Sequence, residues 1–148
     1  MAQKTHLKIK KNQHVLVVED NEFRCNWFLE RIPGCMIATS PADALSILNT
    51  FEVEDLPAKF DIVFLDHDCA ATNFVDPTDP DFLRKSFWTV AQYLRDIDFG
   101  GTVIIHSGNP VGANRMRALL GPLDHRPSSS SIGKVHVIPF GSFDVEVV

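Results

Sequence analysis

Short apolar runs and amphipathic stretches alternate along this chain. His14-Val15-Leu16-Val17-Val18 is β-branched and ends in Glu19-Asp20. Such a run, bounded by polar residues, predicts a strand buried on both faces. Residues 22–32 have helical spacing, with Phe23, Trp27 and Phe28 assigned to one side, and Pro33-Gly34 stops them. Residues 36–39 predict a second strand. Ser40-Pro41 supplies an N-cap and a first-turn proline for a helix carrying Ala44, Leu45, Leu48 and Phe51. Residues 60–65 predict a third strand, ending in Asp66-His67-Asp68.

An irregular loop is expected from Cys69 to about Asp81, then a helix over 82–98 with Phe87, Val90, Ala91, Leu94 and Ile97 on one stripe. Gly100-Gly101 breaks it. Residues 102–105 predict a fourth strand, ending in His106-Ser107, and Asn109-Pro110 opens a helix to about Leu120. Ser128 to Ser131 reads as a low-complexity turn, and residues 135–138 as the fifth strand. The tail from Gly141 has no helical length, but Val145, Val147 and Val148 suit one more short strand. Residues 1–13 are basic and polar. Leu7 and Ile9 alternate with lysines there, which suits either an edge strand or a mobile arm.

This order, β-α-β-α-β-α-β-α-β, predicts an α/β fold. The expected form is a doubly wound three-layer sandwich around a five-stranded parallel sheet of order 2-1-3-4-5. It comprises one domain over 14–148 behind an N-terminal arm at 1–13.

Composition narrows the classes. Of 148 residues, 45% are hydrophobic and 22% charged, enough apolar surface to fill a core and too much for a disordered chain. The formal net charge of −5 argues against broad binding to duplex nucleic acid. No apolar run approaches the roughly 20 residues that span a bilayer, and the first residues do not read as a secretory signal. Three cysteines, Cys25, Cys35 and Cys69, form no CxxC pair and read as free thiols, so a cytoplasmic location is expected.

In an open parallel sheet, ligands bind beyond the carboxyl ends of the strands. The first, third and fourth strands are neighbours in the expected order. They end in Glu19 and Asp20, in Asp66, His67 and Asp68, and in His106 and Ser107. Crowded carboxylates are tolerated when a cation or a shared proton offsets their repulsion. Glu19, Asp20 and Asp66 suit a divalent metal, magnesium or manganese first; His67 and His106 add nitrogen donors that admit manganese, iron or zinc. Strand alternation would point Asp66 and Asp68 together and His67 away, so His67 reads either as a ligand or as an orienter of one.

Asn109 caps a helix whose free N–H groups favour an anion, and Ser107 and Asn109 add donors. Gly108 and Gly112 permit close backbone approach. Arg24 reads as a phosphate clamp or as an ion-pair partner of Glu19 or Asp20. His6, His14, His125 and His136 read as surface residues. Trp27, Phe28, Phe87 and Trp88 read as core or helix-face residues.

The pattern resembles a response-regulator receiver domain. Val17-Val18-Glu19-Asp20-Asn21 stands where a receiver has its acidic pair, Asp66 where it has the phospho-accepting aspartate, and Ser107 where it has a hydroxyl residue. The receiver's lysine after the fifth strand is replaced by Ile138-Pro139-Phe140, Lys134 lies at the wrong end of that strand, and the final helix is missing.

The chain is more similar to the receiver-derived family named for cyclic-phosphate processing. The resemblance rests on Glu19, Asp20 and Arg24; on Leu65-Asp66-His67-Asp68; on His106, Ser107, Asn109 and Met116; and on the Pro-x-Gly of Pro139 to Gly141. It departs where the loop after Asp68 lacks a glycine-rich stretch, and where Ser142-Phe143-Asp144 replaces an acidic-tryptophan element.

The resemblance implies a metal-assisted hydrolase or phosphodiesterase acting on cyclic phosphates of nucleotides or RNA ends. His106, His67 and Asp68 would be catalytic; Arg24, Ser107 and Asn109 would bind phosphate; Glu19, Asp20 and Asp66 would hold the metal. The alternatives are a non-catalytic atypical receiver, or phosphate- and metal-binding signalling module, and a structural partner using the basic arm and the 69–82 loop. Neither duplex nucleic acid nor a membrane is expected as a partner, and a homodimer is left open.

Overall fold

Each β-branched run becomes a strand because both of its faces find apolar cover. The computed structural model describes residues 4–53, 59–68, 78, 86–125 and 134–148. Its strands are β1 Thr5–Ile9, β2 Val15–Val18, β3 Met36–Ala38, β4 Ile62–Leu65, β5 Thr102–Ile105, β6 Val135–Val137 and β7 Phe143–Val147. The helices are α1 Glu22–Arg31, α2 Pro41–Leu48, α3 Trp88–Asp96 and α4 Pro110–Leu120. A π turn, Asn49–Val53, prolongs α2, and a 3₁₀ turn, Gly121–His125, prolongs α4. The parallel sheet runs β3-β2-β4-β5-β6, which is the expected 2-1-3-4-5 once β1 is left uncounted.

Period-two alternation sorts each strand between two cores. Leu16, Val18, Val63, Leu65, Val103 and Ile105 face α2, α3 and α4, meeting Ala44, Leu48, Val90, Leu94, Ala113 and Met116. Val15, Val17, Ile62, Phe64 and Ile104 face the other way, toward Phe28 and Ile32.

One helix cannot cover that second face. Strands β1 and β7 complete it as a separate two-stranded parallel sheet that buries Leu7, Ile9, Phe143 and Val145. Of the two readings of the arm, the strand is observed, though it does not lie on the edge of the main sheet. Arg31 Nε ties α1 to β7 through Asp144 Oδ1 at 3.0 Å. Among the described residues no helix follows β6, as expected.

Two local expectations are corrected. Phe23 is 72% exposed. The buried stripe of α1 runs through Cys25 and Phe28, and Phe23, two residues before Cys25, falls opposite it. The helix expected from 82 starts at Trp88. Ser86 pairs with Asp68 in an antiparallel bridge, and the Phe87 amide donates to the His67 carbonyl at 2.7 Å, so the chain is still tied to the strand end there. Residues 82–85, the loop expected at 69–81 apart from Thr78, Cys69, the serine turn at 128–131 and the side chain of His125 lie outside the described residues. His6 and His14 are exposed and His136 half-buried.

Candidate active site at the carboxyl rim of the sheet

The register of the sheet builds the rim. Val17 pairs with Phe64, and Phe64 with Ile104. Two residues on, the same face carries Glu19, Asp66 and His106, a row across three adjacent strands. All three are buried. Glu19 Oε1 lies 3.0 Å from His106 Nε2, while Oε2 accepts from the amides of Asp20 and Asn21 at 3.0 and 3.1 Å. Phe28 and Phe64 stand edge-on to the His106 ring, at 5.3 and 6.4 Å. Cys25 Sγ donates to the Glu19 carbonyl at 3.2 Å.

The two carboxyls titrate against each other. Burial acts to raise Glu19, but the hydrogen bond and charge of His106, with the Asn21 amide and Asp66, bring it below the ordinary value. Asp66 goes well above it: burial pushes it up first, then the Glu19 charge and the hydrogen bond shared with Glu19.

One donor atom from each of Glu19, Asp66 and His106 lies within 4.8 Å of the others, so this row could hold a metal ion. His106 Nδ1 has no hydrogen-bond partner among the described residues, and two oxygens with one nitrogen fit a borderline divalent cation. Asp20, expected among the ligands, is half-buried and outside the group. It falls one step along the strand direction, off the face that carries the row.

His67 and Ser107 continue the opposite face, under the start of α4. His67 Nδ1 lies 2.6 Å from Asp68 Oδ1, and Asn109 Nδ2 donates to the same oxygen at 3.1 Å. Asp68 therefore joins His67, not Asp66, because the chain leaves its extended path after the strand. The Asp66 carboxylate instead accepts from the His67 amide at 2.8 Å.

Asn109 Oδ1 caps α4 by accepting from the Gly112 amide at 3.0 Å, and the Asn109 amide donates to Ser107 Oγ at 3.0 Å. Asn109 is thus an organiser of the helix start and of Asp68. Gly112 lies against the His67 imidazole, and the ring takes the place of a Cβ there.

Arg24, 30% exposed, bridges the readings made of it. Nη1 lies 3.5 Å from Glu19 Oε1, and the guanidinium carbon stands 4.8 Å over the Phe140 ring. The nine sequence-predicted residues thus all lie at or beside one rim but divide between two faces. Sequence reasoning missed Phe140 beneath Arg24 and Cys25 beneath Glu19. The signal for the first was an aromatic three residues beyond the last strand of the main sheet.

A parallel sheet in this order, with acids and imidazoles closing its carboxyl rim, defines a receiver-like α/β domain. The chain belongs to the cyclic-phosphate processing receiver domain family, whose family model matches residues 15–121. No curated protein matches it significantly. No helix among the described residues is long and apolar enough to cross a membrane.

Proposed function

We propose that this protein hydrolyses cyclic phosphodiesters, of the 2′,3′ kind found on nucleotides and RNA ends. The observation that carries this reading is the pair of buried histidines at one rim, each bonded to its own carboxylate: His106 to Glu19 and His67 to Asp68.

Asp68, steadied by Asn109, accepts the Nδ1 proton of His67 and fixes its tautomer, so Nε2 carries the lone pair. His67 takes a proton from the attacking water and returns one to the ribose oxygen as the phosphorus–oxygen bond breaks. Arg24 and the Ser107 hydroxyl bind nonbridging oxygens, at the positive end of the α4 dipole. Glu19, Asp66 and His106 would hold the divalent ion, which supplies Lewis-acid polarisation of the phosphoryl group when bound. In this assignment His106 takes the place first given to Asp20.

A receiver phosphorylated on Asp66 is disfavoured by the hydrogen bond that side chain shares with Glu19 and by Ile138-Pro139-Phe140 standing where a receiver has its lysine. The test is ³¹P NMR of nucleoside 2′,3′-cyclic phosphates with manganese, zinc or magnesium. We expect turnover to the monoester, reduced about a hundredfold or more in His67→Ala. Absence of turnover with every metal ends this reading.

A further inference from the structure

We propose that Phe140 is a positioning residue, whose ring fixes Arg24 as the anion clamp of the rim. The inference rests on the phosphate-binding role given to Arg24 above.

An arginine side chain is long and loses much rotamer freedom when held in one place. Arg24 is held by two unlike contacts. Glu19 takes one guanidinium nitrogen at 3.5 Å, and the Phe140 ring lies beneath the guanidinium carbon at 4.8 Å. A cation over an aromatic face is attracted by the ring quadrupole. With one edge on Glu19 and one face on Phe140, the remaining N–H groups are presented in a set direction.

The ring is itself immobilised. The Phe140 amide donates to the His106 carbonyl at 2.8 Å. Trp27 and Phe143 stand edge-on to the ring, at 5.1 and 6.3 Å, and Phe28 is tilted at 6.0 Å. Phe140 therefore links a residue of the buried row to α1 and β7.

The rim needs such a cation. Where no divalent ion screens it, the Glu19 carboxylate would repel a phosphoryl group, and Lys134 donates to the Gly100 carbonyl at the other end of the sheet, at 2.9 Å. A guanidinium swinging free of Phe140 would pair with Glu19 in many geometries and offer phosphate no fixed fork.

The test compares wild type, Phe140→Leu, Phe140→Met and Phe140→Tyr, in both Arg24 and Arg24→Ala backgrounds. Binding of inorganic phosphate and of adenosine 2′,3′-cyclic phosphate is measured by calorimetry, and turnover is followed separately. Leucine and methionine keep apolar bulk and remove the π face; thermal unfolding identifies which of them folds. We expect either to raise Kd and KM about two- to thirtyfold with little change in kcat, and tyrosine to restore binding. In the Arg24→Ala background the Phe140 changes should add nothing. An equal loss in both backgrounds, unchanged binding in the folded Leu or Met variant, or no phosphate binding by wild type overturns the inference. Phosphate binding coupled between positions 24 and 140 without any turnover would overturn the hydrolase reading and leave this one standing.

Discussion

At the residue scale, the acid pair dominates. Asp66 is raised by burial, by the Glu19 charge and by their shared hydrogen bond, and the His67 amide and the Arg24 charge do not offset this. An unfolded aspartate titrates near 3.9. A folded value above that gives a stability contribution fully present below about pH 3.9 and lost as pH rises through the folded value. In chelator, Asp66→Asn should therefore gain stability over wild type progressively as pH rises, because an amide cannot ionise. Unfolding temperatures of the two proteins across pH 4 to 9 check this. Parallel curves would mean that the carboxyl is not under this strain.

At the element scale, the start of α4 is fitted to His67. The His67 imidazole occupies the space a side chain at position 112 would need. Gly112→Ala should cost about 1–3 kcal/mol of stability by overpacking. It should also push the imidazole off Asp68, seen as a shifted His67 ring resonance. Urea unfolding and histidine side-chain NMR check the two parts, and an unmoved resonance refutes the fit.

The elements were largely legible because their signals are local: apolar runs for strands, and Ser40-Pro41 and Asn109-Pro110 for helix starts, both realised as caps. The start of α3 was not legible, since the Phe87 amide is tied to a carbonyl twenty residues earlier in the chain. Gathering Glu19, Asp66 and His106 at one rim followed from the strand ends alone. The separation of His67 from Asp66 followed from strand alternation, but that of Asp68 did not, because the chain leaves its extended path after Leu65 and carries Asp68 to His67. The pairing of β1 with β7 was hidden for the same reason, being a contact between distant segments.

At the scale of the whole molecule, charge decides how a nucleic-acid end could be held. The lysine-rich beginning does not form a basic face by itself. In the register of the small sheet His6 stands opposite Asp144 and Lys8 opposite Glu146. With a net charge of −5, binding has to come from the rim rather than from a broad field. Affinity for a short single strand ending in a cyclic phosphate should depend weakly on salt, with a log–log slope of about −0.7 for each phosphate contacted. Fluorescence anisotropy at 50 to 300 mM salt measures it; a slope steeper than about −3 would point to an extended backbone track.

The small sheet also sets an order of assembly. One of its strands precedes every other element and its partner follows them all. A nascent chain on the ribosome can close the helical side around α2, α3 and α4 while the opposite side still waits for its cover. The ring that carries Arg24 and the strand that seals the aromatic pocket behind His106 are made after every element of the parallel sheet. A chain cut short before Phe140 would therefore leave Arg24 without its aromatic support and the apolar face around Phe28 and Phe64 open to water.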